Sequence, residues 1–290
     1  MRFTRLTAAA GVLVLAMTSA ACGGNDTGST GEGQGFPAGS TMQRLVEAHK
    51  IRVGTKFDQP GFGLEGPGGL PKGFDVEIAK IIAKKLGIPY YAIEYTETPS
   101  TIREQVLQQG KVDMVVATYT INDKRKEVVD FAGPYYVAGQ TLMVKSDNTD
   151  VTGPDSFKDG TKKVCSVTNS TPAANIEKYL KNKAKQLELF DSYDKCVEAL
   201  KAGKIDAVTT DNVILTGFVA TNPDQFALVG SAFTEEPYGI GVKKGDKDFR
   251  NFINDTLEEA FHDGSYMKAW KVTAGKYDPN DPLIPEIDRY

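Results

Sequence analysis

The sequence predicts an α/β protein of two lobes that face one another across a cleft, on three observations. A short motif occurs twice: "GKVDMVVATY" starts at Gly110 and "GKIDAVTTDN" starts ninety-three residues later at Gly203. Each copy follows an amphipathic helical pattern and opens a short apolar run. Each half of the chain also begins with a strand pattern followed by a helical one, the order of βα units around a parallel sheet.

The elements follow in chain order. Residues 50–55, "KIRVGT", and 162–167, "KKVCSV", read as the first strand of each half. In "FDVEIAKIIAKKLG", Phe74, Ile78, Ile81, Ile82 and Leu86 form one stripe of a helix, with Asp75 and Glu77 at its positive end and Lys84 and Lys85 at its negative end. Before the first copy of the motif, Ile102, Val106 and Leu107 recur at helical spacing, and Gly110 stands where a left-handed cap is needed. Before the second, Tyr193, Cys196, Val197 and Leu200 share a face and Gly203 closes it. The runs at 112–117 and 205–209 are apolar almost throughout, as in strands buried on both faces.

At 290 residues the chain suits two domains of about 100–150 residues each. Its 40% hydrophobic and 25% charged content is that of a globular protein, and its net charge of −4 lacks the basic footprint of a nucleic-acid binder.

The leader "MRFTRLTAAAGVLVLAMTSAAC" combines Arg2 and Arg5, an apolar run and small residues before Cys22. That is an export signal, too short to span a membrane. Its ending resembles the lipobox of bacterial lipoproteins, in which the Cys is lipidated and becomes the new N-terminus, although Ser19 stands where that pattern has Leu. Plain secretion is the alternative. Starting at Cys22 leaves 32 basic against 38 acidic residues, a net −6. Residues 23–40 are rich in Gly, Ser and Thr and read as a flexible tether. The expected location is therefore extracytoplasmic, on the outer face of the cell membrane, held by Cys22.

Cys165 and Cys196 remain in an exported chain, where a disulfide between them is expected; two separate buried thiols are the alternative. His49 and His262 have no ligand-spaced partners, so no metal or cofactor is expected.

Open α/β sheets bind ligands beyond the carboxyl ends of their strands, and two facing lobes pool those ends. Past the paired strands stand Thr118 in one copy and Asp211 in the other. In "ATYTINDKRKEVVDFAGPYY", Thr118 and Thr120 offer polar groups at a strand end, and Arg125 offers a fork that grips a carboxylate; a solvated charge is its bland alternative. In "VTNSTPAANIEKYL", Ser170 and Thr171 precede Pro172, so that Thr171 reads as a helix cap and Pro172 as the first helical residue. Asp211 alone would be a turn residue. Taken together, a guanidinium, a helix N-terminus and an opposed carboxylate complement an amino-acid zwitterion.

At these residues the chain resembles the polar amino-acid binding proteins of ABC importers, from about residue 45 to residue 275. The motifs are "GFDVEIAKIIAKKLG", "GKVDMVVATYTINDKRKEVVDFAGPYY", "KIDAVTTDN" and "EEPYGIGVKKGD". The resemblance implies a type II periplasmic-binding-protein-like fold with two hinge crossovers, near 141–145 and 236–242. It implies a signal over 1–21, a tether over 22–40, lobe 1 over 41–141, lobe 2 over 142–236, and a return to lobe 1 with a tail over 237–290. It assigns the α-carboxylate to Arg125, a strand-end contact to Thr120, an amide-donating cap to Thr171 and the ammonium to Asp211. It is nearest to the glutamate-binding lipoproteins of Gram-positive bacteria, whose basic side-chain pocket falls on Lys56 and Arg103. Phe57 or Phe62 would place a ring against the ligand's carbon chain, with Tyr119 and Tyr193 at cleft-facing ends.

The implied activity is capture of glutamate, with aspartate second, by a monomer that delivers it to an ABC permease and its ATPase. A glutamine receptor, and an enzyme on the same scaffold such as a prephenate-type (cyclohexadienyl) dehydratase, are the alternatives. The enzyme needs a placed acid or base, and neither His lies beside these motifs. An extracytoplasmic sensor component is a further alternative. The stretch "GFGLEGPGGL" lacks the ending and context of a phosphate-binding loop and reads as a surface loop near the cleft mouth.

Overall fold

The computed structural model describes residues 35–290; the expected signal, Cys22 and most of the expected tether lie outside the described residues. The end of the tether segment belongs to the folded body. Phe36 packs edge-on against Phe252 at 5.5 Å, and Ser40 caps α1 (Thr41–Ala48) by accepting the Gln43 amide.

The first pass of the chain builds β1 (Ile51–Thr55), the short strands β2 (Asp58–Gln59), β3 (Gly63–Glu65) and β4 (Pro71–Lys72), then α2 (Phe74–Lys85), β5 (Ile93–Glu97), α3 (Arg103–Gln108), β6 (Met114–Thr120), α4 (Asp123–Lys126) and β7 (Val129–Ala138). The second contributes β8 (Gln140–Lys145), β9 (Val164–Val167), α5 (Thr171–Ile176), α6 (Lys183–Gln186), β10 (Leu187–Phe190), α7 (Tyr193–Lys201), β11 (Ala207–Asp211), α8 (Asn212–Thr221) and β12 (Phe226–Val229). β13 (Glu236–Lys243), α9 (Lys247–Asp263) and α10 (Ser265–Val272) then return to the first lobe.

Two five-stranded sheets result, in the orders β5-β1-β6-β13-β7 and β10-β9-β11-β8-β12, which correspond strand for strand. In each, the first two pairings are parallel and the last two antiparallel, so that only the fourth strand runs against the others. The repeated motif explains the match. Gly110 and Gly203 both take left-handed φ, at 64° and 67°, and turn the chain from α3 into β6 and from α7 into β11. Every residue of β6 and β11 is buried, including the polar ends of both strands, Thr118 and Thr120 in β6 and Thr209 to Asp211 in β11. On α2, Phe74, Ile78 and Ile82 are fully buried and Leu86 nearly so, while Ile81 is only partly covered.

The lobes are joined at Gly139, between β7 and β8, and across residues 230–235, between β12 and β13. The resemblance put these crossings at 141–145 and 236–242, one strand further on. Those segments are instead continuous ladder strands, with Thr141 paired to Thr210 and Glu236 to Ala138. The two crossings bond each other: Gln140 N–H donates to Thr234 Oγ1 and Phe233 N–H to the Gln140 carbonyl.

The glycine-rich stretch is no free loop. β2, β3 and β4 form a small antiparallel sheet, and Phe62 inside it is buried against Phe74, Tyr136, Tyr238 and Trp270. Cys165 and Cys196 form the expected disulfide, tying β9 to α7. Among the described residues no helix is long and apolar enough to cross a membrane.

Candidate functional site

The order β5-β1-β6 places the chain reversal of the first sheet between β1 and β6, and β10-β9-β11 places that of the second between β9 and β11. Carboxyl ends of strands at such a reversal leave a crevice. From β1 comes Lys56, from β6 Thr118 and Thr120, from the turn after β9 Ser170 and Thr171, and from β11 Asp211. They meet in one small cavity between the strand ends of the two lobes.

Eight expected residues line it: Lys56, Arg103, Thr118, Thr120, Ser170, Thr171, Tyr193 and Asp211. Phe57 and Arg125 are not on its wall. Phe57 is half-buried in the turn after β1, where its carbonyl accepts the Glu65 amide, and Phe62 belongs to the aromatic core. Among the described residues no large ring besides Tyr193 touches the cavity.

The lobe 1 wall is cationic. Lys56 is 3% exposed; its Nζ donates to Ser100 Oγ at 3.0 Å, and it has no ion pair among the described residues. Burial draws its pKa down to about 8, with Arg103's charge adding to the effect and Asp58 opposing it. Arg103, at the start of α3, donates from Nη1 to the Ala117 carbonyl at 3.2 Å, while its buried Nε finds no hydrogen-bond partner.

Thr118 carries backbone strain at the site. Its φ is +44°, an outlier for a β-branched residue. The Asp75 carboxylate holds it there by accepting the Thr118 amide at 2.8 Å and the Tyr135 hydroxyl at 2.6 Å. Burial raises the Asp75 carboxyl to about 6 against those two hydrogen bonds. Asp75 therefore does more than face the helix dipole: it shapes the strand end that the ligand would meet.

Arg125 follows α4's cap, Asn122. Its Nη1 donates to the Thr120 carbonyl at 2.6 Å, its Nη2 reaches the Asn169 carbonyl of lobe 2 at 3.4 Å, and its Nε lies 3.4 Å from Glu104. Burial first, then Arg103's charge, lowers its pKa to about 10.

The lobe 2 wall is neutral and anionic. Ser170, not Thr171, is the N-cap of α5; its Oγ accepts the Ala173 amide at 3.1 Å and Pro172 is the second helical residue. Freed from capping, Thr171 donates from Oγ1 to Glu236 Oε2 at 2.7 Å and lies 3.2 Å from Thr120 Oγ1 across the cleft. Asp211 is the last residue of β11 rather than the first beyond it. It precedes α8 without capping it; Oδ2 accepts the Tyr238 hydroxyl at 2.6 Å and the buried Oδ1 accepts nothing. Burial, and then the Glu236 charge, pushes its pKa up to about 7.

The lobes touch around the cavity. Ser192 flanks α7 without capping it, and Asp58 of lobe 1 accepts the Tyr193 amide at 2.7 Å in its place. Gly217 of α8 lies against Pro60, where an added Cβ would fall 2.3 Å from the Pro60 carbonyl oxygen.

Residues 51–271 match the bacterial extracellular solute-binding proteins, family 3. The chain belongs to that family. It is 39% identical to the glutamate-binding protein GluB of Corynebacterium glutamicum over 94% of this chain and 92% of that one. It is also 39% identical to the glutamine-binding protein GlnH of Bacillus subtilis over 87% and 90%. Among solved structures, the ancestral amino acid-binding protein AncCDT-1, described as a precursor of cyclohexadienyl dehydratase, superposes with a TM-score of 0.73 at 30% identity, covering 81% of this chain and 99% of that one. The fold is the two-lobed, type II form that the sequence motifs imply.

This family 3 chain also brings to the cavity residues that sequence reading did not place there: Gln59, Ser100, Thr210 and Ile214 line it, and Asp58, Asp75, Glu104 and Glu236 stand just behind it. One had a signal. Asp75 shares helical spacing with Ala79, Ile82 and Leu86, a carboxylate on the apolar stripe. The short polar residues had none, because Gln59 and Ser100 look like ordinary turn residues until the lobes meet.

Proposed function

We propose that this chain is an extracytoplasmic receptor that captures glutamate, with aspartate second, as a monomer and delivers it to an ABC permease driven by its ATPase. The observation that carries the reading is a charge count in one small cavity: Lys56 and Arg103 from lobe 1 oppose Asp211 from lobe 2. Two cations and one carboxylate complement the two carboxylates and one ammonium of a dicarboxylic amino acid. Asp211 takes the ammonium, for which its free Oδ1 is a ready acceptor. Lys56 and Arg103 take the carboxylates, with Thr118, Thr120, Ser170 and Thr171 completing the hydrogen bonds and Tyr193 covering the carbon chain. Arg125 acts from behind the wall through Thr120 and Asn169. Lipidation at Cys22 would hold the receptor at the outer face of the membrane.

Glutamine is the second reading, favoured by the resemblance to the Bacillus protein. It would leave one buried cation without a partner, and a desolvated, unpaired charge costs several kcal/mol. Catalysis is not part of the reading, because a dehydratase needs a positioned general acid or base and the relatives bear names of binding proteins. The test is equilibrium dialysis of protein unfolded and refolded to strip carried-over ligand, against labelled glutamate with aspartate, glutamine, arginine and prephenate as competitors. A parallel assay follows prephenate turnover. Displacement by aspartate before glutamine, with no turnover, is expected; turnover, or displacement by glutamine first, contradicts the reading.

A further inference from the structure

Between the two cavity-lining threonines of β6 stands a residue that faces away from the cavity. The alternation of the strand puts Tyr119 on the opposite side, with Val115 and Ala117, where it is fully buried. Its ring is flanked by two guanidiniums: the Arg103 Cζ lies 4.1 Å from the ring centroid and the Arg125 Cζ 5.1 Å. The ring's own position is tightly set. Phe131 meets it edge to face at 4.7 Å, and it packs so close to the backbone of Gly241 that an added Cβ there would fall 2.8 Å from its Cε1.

The two arginines need this ring. Both are nearly buried, at 3% and 7% exposure. They share one carboxylate, Glu104, whose Oε1 is 3.4 Å from the Arg125 Nε and 4.0 Å from that of Arg103. Their remaining contacts are the neutral carbonyls of Ala117, Thr120 and Asn169. Two buried cations and one partly exposed anion leave an excess of positive charge, and the negative π faces of an aromatic ring attract cations. The Tyr119 hydroxyl makes no hydrogen bond, so what Tyr119 offers the two guanidiniums, beside Glu104 and the carbonyls, is its ring.

We infer that Tyr119 is a positioning residue that sets preference for an anionic side chain, by holding Arg103 on the cavity wall and Arg125 behind it through its π face. The inference rests on the glutamate reading. An ordinary core residue of the same volume would give the same packing without the electrostatic role, and the two can be separated.

The experiment replaces Tyr119 with Phe, with Leu, and with 3,4,5-trifluorophenylalanine, which keeps a ring of similar size while withdrawing electron density from its faces. Dissociation constants for glutamate and for glutamine are measured on each, with melting temperature as the control for folding. Tyr119→Phe is expected to stay within about twofold of wild type, and the fluorinated and Leu variants to lose about tenfold on glutamate but under about threefold on glutamine. Should Tyr119→Leu fail to fold, the Phe and trifluorophenylalanine pair decides alone. A wild type that binds glutamate no better than glutamine overturns the glutamate reading, and this inference with it. A wild type with that preference and a fluorinated variant that keeps it in full overturns the role of Tyr119 only.

Discussion

In lobe 1 the repeated motif runs from Gly110 into a strand ending at Thr120, and the groups gathered at its end are Lys56, Arg103 and, one layer back, Arg125. In lobe 2 the same motif runs from Gly203 into a strand ending at Asp211, and the groups at its end are Ser170, Thr171, Tyr193 and that single carboxylate. The scaffolds correspond strand for strand. What differs is the charge placed at equivalent strand ends. One repeated unit thus supplies two walls of opposite character, and the cleft between them recognises a ligand that carries both charges.

Removing the lobe 2 charge should break the comparison most severely. Asp211→Ala leaves a ligand ammonium with no buried counter-charge, and losing one partner of a buried pair costs about 3–5 kcal/mol. Binding of glutamate, aspartate and glutamine should all fall by about a hundredfold or more by calorimetry. Retained affinity for any of them would remove Asp211 from the ammonium site. Neutralising lobe 1 should be selective instead. Lys56→Met and Arg103→Met are expected to weaken glutamate by about tenfold to a hundredfold and glutamine by much less. Equal losses for both ligands would assign the two cations to the α-carboxylate or to structure.

A smaller effect concerns the contact between the lobes. Asp58→Ala removes the acceptor that lobe 1 lends to the N-terminus of α7. Loss of a helix cap costs about 1 kcal/mol, so the dissociation constant should rise about fivefold, carried by faster release in stopped-flow measurements. Asp58→Asn, which keeps an acceptor, should recover most of it. A slower association with unchanged release would place Asp58 outside the closed contact.

The last expectation is a pH dependence that each wall limits from one side. The Asp211 carboxyl is pushed up to about 7, so without ligand it is half protonated near neutral pH, whereas an ammonium beside it favours the ionised form. Binding then releases a proton, and affinity should rise about threefold between pH 6.5 and 7.5. Lys56, drawn down to about 8, should lose its charge above that pH and lower affinity again. The same raised carboxyl bears on stability without ligand. Below about pH 4 the group is protonated in both folded and unfolded chains; between about 4 and 7 the unfolded chain releases the proton while the folded one keeps it, so the stability falls across that window and is fully lost once pH has passed 7. A flat affinity profile from pH 6 to 9 would contradict both assignments.

Much of this architecture was legible because its signals are local. Helical stripes ending in glycine, followed by apolar runs, place α3, β6, α7 and β11, and the repetition pairs the lobes. Thr118, Thr120, Asp211, Ser170 and Thr171 were legible because they stand at strand ends and a helix start that the same signals mark, whereas Lys56, Arg103 and Tyr193 entered only through the family resemblance. The misreadings have physical causes of other kinds. Ser170 and Thr171 are both good caps, and only the path of the chain decides that Ser170 bonds Ala173 while Thr171 turns to Glu236. The crossings were displaced because β8 and β13 are continuous strands across which sequence marks no break; the joints are the short pieces at Gly139 and 230–235. Phe57 looked like a ligand-facing ring because it follows β1, yet the turn directs Lys56 inward and leaves Phe57 half-exposed. Asp58 and Glu236 act across long sequence separations, on Tyr193 and Thr171, which no local pattern encodes.

The central claim is that opposed charge on the two walls selects a dicarboxylic amino acid, and isothermal calorimetry of the refolded, ligand-stripped protein against glutamate and glutamine tests it most directly. One-to-one binding of glutamate, at least about tenfold tighter than glutamine, with heats that differ between buffers of high and low ionisation enthalpy, is the predicted result. Equal or tighter binding of glutamine would contradict it, because Lys56 and Arg103 could not then be the carboxylate partners on which the comparison of the lobes depends.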